Sequence, residues 1–156
     1  MTEVHNRWYD DTSKIINSYQ DSLTKKDQKK YKLDLLLRVA RRIADFSPEC
    51  GQCQLFQQEI TTLTQDLGNL IQMPDKARRK SYLKTINHVV KHLQSQHKLV
   101  TQGHHVGLWV AIGTAIGVAI GAGMENVGAG IPIGTAIGVA VGMALDAKAK
   151  KEDKVI

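Results

Sequence analysis

Two cysteines and three histidines are the residues of this sequence best suited to chemistry. Cys50-Gly51-Gln52-Cys53 contains both cysteines, and a gap of two residues lets two thiolates bind one metal ion. The histidines that follow are His88, His92 and His97. A set of Cys50, Cys53, His92 and His97 has Cys-x2-Cys and His-x4-His spacings, both typical of structural zinc sites. These four residues are the candidate ligands for a closed, structural Zn2+ site.

Two other interpretations of the same residues stay open. In the first, the cysteines are a half-buried pair and His97 is a core histidine with its hydrogen bonds satisfied. In the second, the motif is a thiol redox site, since the start of a helix lowers a thiol pKa. The sequence has no strand–helix–strand pattern, which counts against a thioredoxin-like fold. We interpret His104 and His105 as interfacial residues at a membrane boundary.

The elements that must position these side chains are helices, because apolar residues recur at three- and four-residue steps. A first short helix covers residues 11–23. A second starts at the Thr24 cap and runs to about Phe46, and a third starts at Ser47-Pro48 and ends near Met73. The fourth follows, with His97 on its apolar stripe. Short connections predict a small antiparallel helical bundle over residues 1–101.

The pairing of the third and fourth helices selects among the histidines. If the two helices are antiparallel about residue 73, Cys53 lies level with residue 93 and Cys50 with residue 96. His92 and His97 fall at that level, whereas His88 is about one turn away and faces outward. The helix pairing therefore favours His92 and His97 as the partners of the cysteines.

Residues 102–146 form the second region, followed by a basic tail over residues 147–156. This region holds two repeats of about nineteen uncharged residues, close to the roughly twenty that a helix needs to cross a bilayer. Each repeat has a glycine at every fourth position, which places small residues along one helix face for close packing. We predict a glycine-zipper transmembrane hairpin whose helix-packing residues are Gly113, Gly117, Gly121, Gly134, Gly138 and Gly142.

The turn of this hairpin is predicted at residues 125–130. Folding the segment about that turn places Gly121 level with Gly134, and Gly113 level with Gly142. The alternative is a hydrophobic hairpin buried inside a soluble oligomer.

Charge indicates the compartment. The net charge of +6 suits anionic lipid headgroups or nucleic acid without distinguishing them. The N-terminus lacks the apolar core of a secretory signal. Lys and Arg flank the hairpin on both sides and are missing from its turn, so both termini are expected to be cytoplasmic. In that compartment a structural disulfide is not expected.

The two copies of Ile-Gly-Thr-Ala-Ile-Gly-Val-Ala-(Ile/Val)-Gly, together with the ending Leu-Asp-Ala-Lys-Ala-Lys-Lys, resemble the tails of small bacterial glycine-zipper proteins. The resemblance covers about residues 100–154 and implies a membrane helical hairpin. It implies no activity, because those proteins are mostly uncharacterised.

The sequence favours a non-enzymatic, membrane-anchored helical protein that self-associates through its glycine-zipper helices. It has no nucleotide-binding glycine loop and no Ser-His-Asp arrangement. The expected partners are the lipid bilayer and further copies of the chain, and no nucleic acid is expected. Two alternatives stay open: a pore-forming or membrane-perturbing effector, and a thiol redox protein that uses Cys50 and Cys53.

Overall fold

A computed structural model describes the backbone of residues 2–156 and the side chains of residues 7–156. Its helices are α1 (Thr2–Ser22), α2 (Lys25–Lys30), α3 (Leu33–Phe46), α4 (Gly51–Gln72), α5 (Lys76–His97), α6 (His104–Gly123) and α7 (Val127–Lys151). Within these described residues the only β-type pairing is an isolated bridge between Val100 and Val155. The predicted all-α fold is confirmed. The chain divides into two compact units, the first ending at His97 and the second comprising Lys98–Ile156.

The first unit is an antiparallel bundle of α1, α3, α4 and α5. Near their connection, α4 and α5 are joined by a salt bridge of 2.9 Å between Arg78 and Asp66. The α1 helix runs parallel to α4: the Trp8 indole donates a hydrogen bond to the Thr61 hydroxyl (2.9 Å), and Tyr19 lies against Gly68 further along. Bundle helices that follow one another along the chain are therefore antiparallel, as short connections require.

Apolar residues at helical spacing form the core of this bundle. The buried residues of α4 and α5 follow the stripes expected from the sequence, and they are Cys53, Phe56, Ile60, Leu67 and Leu70 on α4 and Tyr82, Ile86, Val89 and Leu93 on α5. The first helix differs from the expectation. It starts at Thr2 instead of residue 11, and of its adjacent isoleucines Ile16 is buried while Ile15 is 38% exposed.

The predicted second helix is broken into α2 and α3. Thr24 caps α2 as expected, accepting a hydrogen bond from the Asp27 amide. Lys32 then adopts a left-handed conformation (φ 51°). The buried Tyr31 accounts for the break: its hydroxyl donates to the Leu70 carbonyl (3.4 Å), and its own carbonyl accepts from the Tyr82 hydroxyl (2.9 Å). Contacts between distant residues have replaced the regular helix here.

The predicted helix start at Ser47-Pro48 is wrong. Ser47 instead ends α3, its hydroxyl donating to the Ala44 carbonyl (3.0 Å), and α4 begins at Gly51 with Cys50 as the N-cap. Gln54 also donates to the Ser47 carbonyl (2.9 Å). The serine hydroxyl is thus engaged by the preceding helix and does not cap the next one.

The second unit is the hairpin of α6 and α7. Glycines of both helices are buried at the seam, where a Cβ on Gly113, Gly117, Gly134 or Gly138 would clash with backbone atoms of the facing helix. The Thr114 and Thr135 hydroxyls also meet across the seam at 2.9 Å. Close approach of two helices needs such small residues, because any larger side chain would hold the backbones apart.

The register of the hairpin differs by one helical turn from the predicted one. Gly121 faces Gly130, Gly117 faces Gly134 and Gly113 faces Gly138. The turn is shorter than predicted: α6 ends at Gly123, Glu125 is left-handed (φ 53°), and the Asn126 side chain caps α7 by accepting from the Ala129 amide. Gly130 is consequently part of the seam and not part of the turn.

The outer faces of α6 and α7 are apolar and exposed. Both helices are long and apolar enough to cross a membrane. Their exposed large side chains include Ile112, Ile116, Ile120, Ile133 and Ile137. A continuous apolar surface of this kind requires lipid or protein to cover it.

Candidate functional site

The two cysteines lie at the start of α4. The Cys50 side chain makes no capping hydrogen bond, and the Cys50 amide donates to the Phe46 carbonyl (2.9 Å) across the turn that follows α3. Cys53 lies one turn further on and is buried, whereas Cys50 is half-buried. Both are free thiols. The turn and the first turn of α4 therefore hold both sulfur atoms at one end of the bundle.

The two histidines come from the last turns of α5, and both are half-buried. Phe46 stacks on the His97 ring, with centroids 3.9 Å apart and planes at 19°. Phe56 meets the His92 ring edge to face, with centroids 5.2 Å apart. These aromatic contacts restrict the rotation of both imidazoles, so that their nitrogens are held toward the cysteines.

The four side chains converge on one point. His92 Nε2 lies 3.4 Å from Cys50 Sγ and 3.6 Å from Cys53 Sγ, and His97 Nε2 lies 3.4 Å from Cys53 Sγ. All four potential ligand atoms lie within 4.8 Å of one another. The structure therefore brings together the four residues selected from the sequence, in an arrangement that can hold a metal ion.

The surroundings of the cluster favour the uncharged forms of Cys53, His92 and His97. Burial raises the pKa of the Cys53 thiol to about 12, and the hydrogen bond with Cys50 and the charge of Cys50 add to this effect. Burial also lowers the pKa of His92 and of His97, and for His92 the charges of His97 and His88 contribute. The imidazoles are thus held neutral, the form that binds metals, while Cys53 must release a proton when an ion binds.

The remaining histidines lie outside the cluster. His88 is exposed, and its ring meets Phe56 edge to face at 5.3 Å. His104 and His105 belong to the first turn of α6 in the second unit, and their rings pair with each other at 5.3 Å. None of these three belongs to the group of residues that can hold a metal ion.

The predicted helix-packing glycines Gly113, Gly117, Gly121, Gly134, Gly138 and Gly142 are all buried. Sequence reasoning missed two further residues of the hairpin. Gly130 continues the four-residue glycine period backwards from Gly134, and this period could have revealed it. Asp146 accepts hydrogen bonds from the His105 amide (3.1 Å) and the Val106 amide (3.2 Å), and thereby caps α6 from the neighbouring helix. The only sequence feature that could have revealed Asp146 is its position as an acidic residue between an apolar span and a basic tail.

Together, the apolar hairpin and the helical bundle indicate a membrane-associated helical protein. Residues 98–148 match the model of a family described as glycine zipper membrane protein, and this match confirms the resemblance inferred for about residues 100–154. The match lies within the second unit and leaves the bundle unassigned. No curated protein and no solved structure matches the chain.

Proposed function

We propose that this protein is a non-enzymatic membrane anchor that displays a helical bundle in the cytoplasm. In this proposal the α6–α7 hairpin spans the bilayer, copies of the chain associate through their hairpins, and a structural zinc ion stabilises the bundle, which offers a surface to a protein partner. The observation that carries the proposal is the hairpin itself: two apolar helices packed glycine against glycine, with isoleucines exposed on the outside.

The distribution of basic residues supports the orientation. The turn between α6 and α7 contains Glu125 and no Lys or Arg, whereas Lys148, Lys150 and Lys151 lie in the last turn of α7. Six further Lys and Arg residues belong to α5, on the other side of the hairpin in sequence. The positive-inside rule then places both termini in the cytoplasm and the short turn on the opposite side.

The outward faces of the hairpin are the proposed contacts between copies. The glycine seam is already filled within one chain, because each seam glycine meets backbone atoms of the facing helix. Ala111, Ala115 and Ala119 are exposed at four-residue steps on α6, a spacing that lets another helix approach closely. Beside the seam, a groove lined by Ile116, Ile133 and neighbouring residues can receive apolar side chains.

The distances in the metal cluster support zinc. Zn–S bonds of about 2.3 Å and Zn–N bonds of about 2.05 Å at tetrahedral angles give sulfur–nitrogen separations of about 3.5 Å. Three of the four sulfur–nitrogen pairs lie 3.4, 3.6 and 3.4 Å apart. A Cys2His2 set uses all four positions of a tetrahedral ion, so the site would be structural and would leave no position for a substrate.

The same geometry argues against the two alternatives. A thiol redox site needs only its two cysteines, whereas here the Nε2 atoms of His92 and His97 also lie within 3.6 Å of the sulfur atoms, as a metal site requires. A wide aqueous pore needs a polar lining, whereas the hydroxyls of Thr114 and Thr135 bond to each other within the seam. A membrane anchor with a structural metal site accounts for both the cysteine site and the threonine contact without any rearrangement of the structure.

Fractionation of cells that produce the full chain tests the anchor. We expect the protein to remain in the membrane pellet after a carbonate wash, because two apolar helices hold it in lipid. Tags at both termini should be digested by protease added to inside-out vesicles and protected in right-side-out vesicles. Release by carbonate would overturn the anchor, and digestion of one tag from each side would overturn the hairpin topology.

Sedimentation of the full chain in detergent tests the self-association. Ala115→Leu adds bulk to the outward face and should lower the oligomeric state. Ala77→Leu, on an exposed face of α5, is the matched control and should leave it unchanged. A chain that sediments as a monomer without any substitution would contradict this part of the proposal.

A further inference from the structure

The α5 helix carries a stripe of lysines that the anchor and the metal site do not use. Lys76, Lys80 and Lys84 follow one another at four-residue steps, and Lys91 lies two turns further along. At 100° per residue the four fall within about 80° of helix circumference, and the centre of this arc lies about 135° from the centre of the buried face. All four lysines are exposed. We refer to Lys76, Lys80, Lys84 and Lys91 as the lysine stripe.

Nothing within the described part of the molecule neutralises this stripe. The helix contains no Asp or Glu, and its one salt bridge uses Arg78, which pairs with Asp66 at 2.9 Å on another side of the helix. No described hydrogen bond or salt bridge involves the side chain of any lysine of the stripe. The stripe is therefore a line of cations about 22 Å long, facing solvent.

We propose that the lysine stripe docks the bundle onto anionic lipid headgroups of the membrane that holds the hairpin. This inference rests on the proposed membrane anchor. The complementary charge is that of a phosphate-bearing surface, which attracts lysines that lie near it. Nucleic acid carries phosphates too, but the short connection between the bundle and the hairpin favours lipid.

The short connection to the hairpin selects lipid over nucleic acid. The α5 helix ends at His97 and α6 starts at His104, so that six residues join the stripe-bearing helix to the first membrane helix. Six residues span at most about 20 Å. The lysines therefore meet headgroups at a high effective concentration, whereas a nucleic acid would have to bind from solution. The proposed topology also puts them on the cytoplasmic leaflet, where anionic lipids are enriched.

Lysine acetylation of the full chain in lipid nanodiscs, followed residue by residue by mass spectrometry, tests the docking. We expect Lys91 to react at least about threefold more slowly in discs containing phosphatidylserine than in pure phosphatidylcholine, and this protection should disappear at high salt. Lys14, exposed on α1, serves as the internal reference. Equal rates for Lys91 in both lipids would overturn the proposal.

Two variants that lose the same number of charges distinguish docking through the lysine stripe from a general attraction by the net charge of the chain. Replacing three stripe lysines (K76Q/K80Q/K84Q) should abolish the protection of Lys91. Replacing three exposed lysines of α2 (K25Q/K26Q/K29Q) should leave it intact. If both variants abolish the protection, net charge and not the stripe is responsible, and the proposal is wrong.

Failure of the anchor would give a different result. A chain that does not float with neutral vesicles at high salt is not membrane-anchored, regardless of how its lysines react with the acetylating reagent. A chain that floats but shows no effect of phosphatidylserine is anchored without docking. Protection of Lys91 by an added oligonucleotide in neutral discs, with no effect of phosphatidylserine, would assign the stripe to nucleic acid and overturn the lipid proposal.

Discussion

Cys53 and His97 approach each other to 3.4 Å between Sγ and Nε2, although 44 residues separate them in sequence. Cys53 lies in the first turn of α4, and His97 is the last residue of α5. The α4–α5 connection lies at the other end of this helix pair, where Arg78 pairs with Asp66. A metal ion bound by these residues would therefore hold together the open end of the helix pair, and its binding would stabilise the folded bundle.

The first prediction is that the purified chain binds one zinc ion and depends on it. Cys53→Ser should remove the ion and lower the thermal midpoint of the bundle, because a ligand that binds only the folded state adds about 4 kcal/mol at 1,000 times its dissociation constant. Metal analysis and thermal unfolding in detergent provide the measurements. His88→Ala, on the same helix but outside the cluster, should keep the ion. Full zinc content in the serine variant would contradict the assignment.

The second prediction concerns the pH dependence of the metal-free protein. Because the folded-state pKa values of His92 and His97 lie below the ordinary histidine value of 6.5, the unfolded chain binds protons more readily, and stability should fall as pH drops through that value. The pKa of Cys53 is raised from 9.0 to about 12, so the unfolded chain loses its proton first and stability should also fall as pH rises above 9.0.

Urea unfolding in detergent with a chelator present can measure both effects. Trp8 fluorescence in a Trp109→Phe background reports on the bundle, because the Trp8 indole bonds to Thr61. Cys53→Ser should weaken the alkaline decline and leave the acid decline in place. A midpoint that stays constant between about pH 5 and 7 would show that the two histidines do not titrate as described.

The third prediction separates glycines of the seam from other glycines. A Cβ at Gly117 would clash with the Gly130 carbonyl and lie 3.1 Å from the Gly134 Cα, so Gly117→Ala should destabilise the hairpin by about 1–3 kcal/mol. Gly107 has nothing within 4 Å of such a Cβ, and Gly107→Ala should cause no loss. Unfolding by sodium dodecyl sulfate, followed by Trp109 fluorescence in a Trp8→Phe background, measures the difference. Equal effects of the two substitutions would contradict the observed seam.

The fourth prediction concerns the cap that α7 supplies to α6. Asp146→Ala leaves the His105 and Val106 amides without their acceptor, which should cost about 1 kcal/mol, as for an N-cap residue. Hydrogen exchange at these two amides should accelerate, and Asp146→Asn, which keeps one carbonyl acceptor, should give an intermediate rate. Unchanged exchange in the alanine variant would mean that the two amides find other acceptors.

Much of the candidate metal site could be predicted, because its spacing is local and its helices are regular. Cys50 and Cys53 are separated by one helical turn, and antiparallel pairing about residue 73 places His92 and His97 at their level. The flanking aromatic residues could not be predicted. Phe46 stacks on His97 because the end of α3 packs against the end of α5, and no local sequence pattern indicates this contact between helices that are not adjacent in sequence.

Local helix signals failed where a residue outside the predicted helix competed for the same group. Ser47 followed by proline is a good N-cap signal, yet its hydroxyl bonds to Ala44 and the helix starts at Gly51. Tyr31 lies within an apparently continuous helix, yet the Tyr82 hydroxyl donates to its carbonyl, 51 residues away in sequence. Periodicity and caps describe the preference of one segment, and a buried hydrogen bond to another segment outweighs that preference.

The sequence by itself determined that there are two helical regions, that one of them is an apolar hairpin, and that glycine faces glycine within it. The register of the hairpin was decided only by the tertiary structure. Because the glycines repeat every four residues, pairing Gly121 with Gly134 or with Gly130 satisfies the same pattern. The three-residue turn, with Glu125 left-handed and Asn126 capping α7, selects Gly130. Because a four-residue repeat matches itself after a shift of four residues, the sequence pattern cannot distinguish the two registers. The length of the turn then sets the register.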